Sequence, residues 1–192
     1  MCSLGLKKLS GLKNSANKGN NMVIIISGAS HTGKTLLAQK TMEKYDFPYL
    51  SIDHLKMGLI RSGQTSLTPT DSDTDLTNYL WPITREIIKT AIENNQNLIV
   101  EGCYVPCTFQ NDLDTEYLSQ IRHIFLVMSE KYIKENFSKI KKYANVIENR
   151  LSDDDLTAEE LIADNKRIFN ECVENNLNFT LIENEYQIQP NF

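Results

Sequence analysis

The chain has 192 residues, 41% of them hydrophobic and 23% charged, the balance of one ordinary globular domain rather than of a disordered, fibrous or membrane-spanning chain. Its net charge is −5, but residues 1–21 hold Lys7, Lys8, Lys13 and Lys18 and no acid, and subtracting those four charges leaves −9 for the rest. An acidic body excludes nucleic acid as the main partner, which would need a basic footprint, yet allows a local basic pocket for a small anion. No apolar run nears the roughly 20 residues of a membrane span, so no membrane partner is expected.

Residues 1–21 read as a flexible N-terminal extension, with a targeting segment or a true start at Met22 as alternatives, and residues 22–192 as the domain. The four cysteines, Cys2, Cys103, Cys107 and Cys172, lack the spacing of a zinc site and point to reduced thiols in a cytoplasmic protein.

The first apolar run, Met22–Ser27, is short and rich in isoleucine, as a buried parallel strand should be. It leads into Gly28-Ala29-Ser30-His31-Thr32-Gly33-Lys34-Thr35, the Gly-x4-Gly-Lys-Thr pattern of a phosphate-binding loop. The glycines allow the backbone to aim successive N–H groups at phosphate oxygens, and the helix that follows adds its positive end. Lys34 is expected to reach the β- and γ-phosphates and Thr35 to ligate Mg²⁺. Leu37, Ala38, Thr41, Met42 and Tyr45 then form the apolar face of that helix.

The second strand is read at Tyr49–Ile52 and ends in Asp53, which either serves an acceptor or caps a helix over 54–61. A long connection follows. It contains a polar stretch, Ser62 to Asp75, and a helix carrying Ile83, Ile87, Ile88, Ala91 and Ile92. Asp71, Asp73 and Asp75 lack the glycine and glutamate of a metal loop and read as solvated. Leu98–Val100 is the third strand, ending in Glu101-Gly102; beyond it, Tyr104 is a candidate pocket residue, whereas Trp81 reads as core.

His123–Met128 is the fourth strand and Phe179–Ile182 the fifth. Between them lie a helix with Ile133, Phe137, Ile140, Ala144 and Ile147, a charged middle from Lys139 to Asp155, and a helix with Leu161, Ile162, Ile168, Phe169, Cys172 and Val173. Thr157-Ala-Glu-Glu160 is a capping box opening the last helix. Alternating strands and helices predict an α/β fold, a parallel sheet covered by helices on both faces.

The loop, the acid ending the second strand and Glu101-Gly102 ending the third together resemble the small-molecule kinase branch of the P-loop proteins. That branch includes nucleoside-monophosphate, shikimate and gluconate kinases, chloramphenicol phosphotransferase and zeta-toxin-like kinases; Ile99-Val100-Glu101-Gly102 with Cys103–Pro106 also looks like 2-phosphoglycerate kinase sequences. The resemblance implies a three-layer α/β/α sandwich with five parallel strands in order 2-3-1-4-5. It also implies transfer of the γ-phosphoryl group of ATP, with Mg²⁺, to a small-molecule acceptor.

On this reading Gly28 to Thr35 hold the nucleotide, and Lys34, Asp53 and Arg150 are the catalytic residues. Thr35 and Glu101 serve the metal. Asp53, Arg61, Arg85, Glu101 and Tyr104 face an acceptor that is possibly anionic. The two long connections serve as an acceptor flap, about 54–96, and a lid, about 139–155, which exclude water. Arg61 and Arg85 equally suit solvated helix faces, Arg150 a salt bridge to Asp153–Asp155, and Glu101 a lysine partner. No Asn-Lys-x-Asp motif supports a GTPase. The rival reading is a P-loop regulatory module with slow hydrolysis, and a polynucleotide-end kinase conflicts with the acidic body.

Overall fold

In the computed structural model, residues 21–143 and 156–192 are described here. The extension proposed for residues 1–21 therefore lies almost wholly outside them, as does the lid position Arg150. Strand β1 (Val23–Gly28) is buried along its whole length. Around it stand β2 (Tyr49–Ser51), β3 (Leu98–Glu101), β4 (Ile121–Met128) and β5 (Phe179–Ile182), all parallel, in the order β2-β3-β1-β4-β5. The expected sheet order is thus the observed one.

Period-two alternation along β1 divides the core into two layers. Val23 and Ile25 pack on one face with helix α2 (Ile52–Arg61), helix α3 (Asp73–Glu93) and the Ile168–Cys172 face of helix α6 (Ala158–Glu174). Ile24 and Ile26 pack on the other with helix α1 (Lys34–Tyr45) and helix α5 (Glu130–Tyr143). A one-turn helix α4 (Thr115–Leu118) leads into β4. Phe109 sits at the centre of one layer, its ring 6.1 Å from Trp81 and 5.2 Å from His123, and so pins the loop after β3 onto α3 and β4.

Several boundaries differ from the sequence reading for local reasons. The helix after β2 is capped by Ser51, whose hydroxyl accepts the His54 N–H, so Ile52 already belongs to α2 and Asp53 lies in its first turn, free of capping duty. The helix containing Ile83–Ile92 begins ten residues upstream, at Asp73. Ser72 caps it and Asp73 and Asp75 complement its dipole, and it runs through Pro82. The Thr157–Glu160 capping box is present with both reciprocal hydrogen bonds. Among the described residues no helix is long and apolar enough to cross a membrane.

Parallel pairing puts the carboxyl ends of all strands on one edge, where such sheets bind ligands. Ser51 and Glu101 are register partners, as are Ile26 and Glu101, and Gly28 stands opposite Leu126. Gly28 has φ +127°, and a Cβ there would lie 2.1 Å from the Leu126 carbonyl oxygen. Gly58, inside α2, has open space around it. In urea titrations, Gly28→Ala is therefore expected to lose about 3 kcal/mol or more, while Gly58→Ala gains about 0.5–1 kcal/mol. Equal effects at the two glycines would contradict the close approach.

Candidate active site

The loop between β1 and α1 is shaped by three left-handed residues, Gly28, His31 (φ 62°) and Gly33 (φ 79°). The Thr32 hydroxyl donates to the Ala29 carbonyl at 2.8 Å, and the buried Lys34 ammonium donates to the same oxygen at 2.7 Å. The Ser30 hydroxyl and His31 Nδ1 share a hydrogen bond of 2.8 Å. From the C-terminal tail, the Tyr186 hydroxyl donates to the Gly33 carbonyl at 3.0 Å; burial, with Tyr132 nearby, pushes this phenol up to about 12. A Cβ on Gly33 would collide with that hydroxyl. Helix α1 has no side-chain cap and no acid of its own in its first turn, so its amino end is left to face a ligand. A loop of this shape, ending in an uncapped helix and a lysine, fits a polyphosphate.

Glu101, only 2% exposed, accepts from the Thr35 hydroxyl at 3.3 Å and from the Tyr49 hydroxyl at 2.9 Å. A carboxylate beside a threonine hydroxyl is an all-oxygen donor set, which fits a hard cation such as Mg²⁺. The Ser27 hydroxyl donates to the Gly102 carbonyl at 2.9 Å and ties the end of β1 to this turn.

Asp53 accepts from Lys56 at 2.7 Å, and Lys56 also donates to the Tyr104 hydroxyl at 2.7 Å with its ammonium over the tyrosine ring. Burial alone would pull Lys56 down, but its hydrogen bonds and the Asp53 charge outweigh it and leave the lysine above its ordinary value. Burial pushes the Tyr104 phenol up, against the opposing pull of Lys56.

These groups open into a cleft of about 1460 Å³. Gly28, Ala29, Ser30, Asp53, Arg61 and Tyr104 all line it, so the structure brings the loop, the acid and two expected acceptor-side residues to one cavity. Arg85 is a correction. It lies about 18 Å along α3 from Asp73, and its Nε–H donates to Glu86 at 2.9 Å. Glu86 itself lines a separate groove with Asp46, Gln96 and Leu98, near the opposite edge of the sheet.

The far wall of the cleft comes from α6, which sequence reasoning treated only as an apolar stripe. The Ser30 backbone N–H donates to Asp164 at 3.0 Å, and Arg167 bridges Asp164 at 2.7 Å and Glu171 at 3.0 Å. The i, i+3 and i+4 spacing of Asp164, Arg167 and Glu171 was the available signal, as was that of Asp53 and Lys56. Cys103, Cys107 and Cys172 are free thiols, and no metal-binding cluster of His, Cys, Asp or Glu occurs among the described residues.

No protein-family model matches the chain, and no curated protein matches it in sequence. Solved structures do match. A Chloroflexus aurantiacus protein, provisionally described as a kinase, superposes with a TM-score of 0.53 at 21% identity over 90% of this chain and 94% of its own. Shikimate kinase from Aquifex aeolicus gives 0.50 at 12% identity over 86% and 88%. With its strand order, the chain has the fold of the P-loop small-molecule kinases.

Because the folded state holds the protons of Lys56 and Tyr104 more tightly than the unfolded chain, their contribution is complete below about pH 10 and is lost as pH rises further. Denaturant titrations between pH 9 and 11.5 are expected to show this alkaline loss in the native protein and a shallower one in Lys56→Met. An identical slope in both would separate the network from stability.

Proposed function

We propose that the protein is a cytoplasmic, Mg²⁺-dependent phosphotransferase that moves the γ-phosphoryl group of ATP to a hydroxyl of a small molecule. The observation that carries this reading is Asp53. It is a carboxylate held by Lys56 in the same cleft as the Gly28–Ser30 backbone, where an acceptor and a phosphate chain would meet. Free thiols in the described residues suit a reducing compartment.

In this reading the loop amides and Lys34 bind and orient the phosphates, with Thr35 and Glu101 as the residues that would hold the metal. Mg²⁺, when bound, neutralises charge on the phosphates. Asp53 accepts the proton of the acceptor hydroxyl as that oxygen forms its bond to the γ-phosphorus, and the bond from phosphorus to the bridging oxygen breaks to release ADP. Lys56 and Tyr104 keep the Asp53 carboxylate oriented. Arg167, one turn from the Asp164 that binds the Ser30 amide, stabilises charge on the phosphoryl group in transit, the role given to Arg150 from the sequence.

Asp53→Asn is expected to lower acceptor-dependent ADP formation by about 10²- to 10⁴-fold with ATP binding nearly unchanged, and Lys34→Ala serves as the blank. Slow hydrolysis indifferent to both acceptor and Asp53 would favour the regulatory module instead. Arg167→Ala is expected to reduce kcat by about 10³-fold while the KM for ATP changes little. A loss confined to KM would assign Arg167 to ground-state binding.

A further inference from the structure

We infer that the acceptor is a hydroxyl-rich molecule carrying neither a phosphate nor a carboxylate of its own. This rests on the phosphotransferase reading and narrows its substrate. The argument begins with what an anionic acceptor needs. A phosphate or carboxylate taken out of water needs a surplus of positive charge around it, since an unbalanced charge in a cleft costs more than the contacts around it return.

Among the described residues, three cations line the cavity, Lys56, Arg61 and Arg167, against five acids, Asp53, Asp73, Asp164, Glu171 and Glu174. The two cations nearest the chemistry are each already balanced by acids, although both keep N–H donors to spare. Lys56 is held by Asp53, and Arg167 by both Asp164 and Glu171. Freeing Lys56 for an acceptor anion would release the carboxylate that is to act as base. Freeing Arg167 would leave the charges of Asp164 and Glu171 unbalanced. What remains is Arg61 at the exposed end of α2, which shares the cavity lining with Asp73 and Glu174 and has no ion pair among the described residues. A second anion in this cavity would meet a surplus of like charge.

The neutral lining suits hydroxyls. Thr74, Thr77, Asn78, Thr108 and Asn175 face the same space, and each side chain both donates and accepts hydrogen bonds, as a polyol requires. The cavity also exceeds the roughly 300–1,000 Å³ of a typical ligand site, as a cleft that has to hold both a phosphate donor and an acceptor requires. The expectation of an anionic acceptor drawn from Arg61 and Arg85 is thereby replaced, because Arg85 lies elsewhere and acids outnumber cations among the described lining residues.

The test uses the full-length protein, Mg²⁺ and γ-³²P-ATP with a cell extract split beforehand on an anion-exchange column. One pool holds the retained phosphates and carboxylates, the other the neutral and cationic flow-through. Asp53-dependent label is expected in a product of the flow-through pool, in roughly tenfold or greater excess over the retained pool, a margin equal to one decade of binding. For the labelled flow-through acceptor, attachment of a carboxylate is expected to raise KM by at least about tenfold. Label predominantly in the retained pool overturns the inference and leaves the phosphotransferase reading standing. Label in neither pool, with ATP bound in a Lys34-dependent manner, overturns both.

Discussion

The turn out of β1 depends on a contact that only a residue without a side chain permits. Gly28 lies so close to Leu126 of β4 that a methyl group would enter the neighbouring backbone, and the Ala29 N–H donates to the Leu126 carbonyl at 3.0 Å. From that anchored point the chain reverses through His31 and Gly33 into α1, so the loop is set directly on the sheet. Everything else at the site is measured from there. Thr35 reaches Glu101 on the next strand, Ser30 meets Asp164 of α6, and Ser27 is tied to Gly102.

The second organising theme is the use of carboxylates to hold cations in place. Lys56 and Arg167 could each have faced the cleft as a mobile charge. Instead each is fixed by one or two acids on its own helix, at spacings where neighbouring turns meet. Such pairs add little stability where they are exposed, as Arg167 is. Their value here is positional, because a fixed side chain presents a defined geometry and has less entropy to lose when ligands arrive. The arrangement also separates two tasks. In the proposed reading, phosphate recognition falls to backbone amides and Lys34, while the acceptor side is left hydroxyl- and amide-rich with a negative balance among the described residues.

Legibility differed between the two halves of the site. The donor half was readable because its determinants are contiguous: Gly28 to Thr35 follow one strand and start one helix, so spacing alone specifies the backbone shape. Asp53 and Glu101 were readable because each directly follows or ends an apolar run, and parallel strands put such positions on one edge. The proposed acceptor half is assembled from α2, α3, the turn after β3 and α6, which lie far apart in the chain. A charged residue on a helix face looks alike whether it meets solvent or a cavity, and so Arg85 was grouped with Arg61, and Asp164 and Arg167 were passed over.

Taken alone, then, the sequence determined the five strands, their parallel order through the family resemblance, the glycine loop between the first strand and helix, and Glu101 at the end of β3. These follow from local periodicity and from backbone conformations that few residues can adopt. Only the tertiary structure decided that Lys56 belongs to Asp53 and Tyr104, that Ser51 rather than Asp53 caps α2, and that Asp164 and Arg167 of α6 close the cleft over Ser30. The reason is that α6 follows β4 and α5 in the chain and returns to the loop only by packing in the folded molecule. A contact spanning 134 residues has no period in the chain from which it could be read.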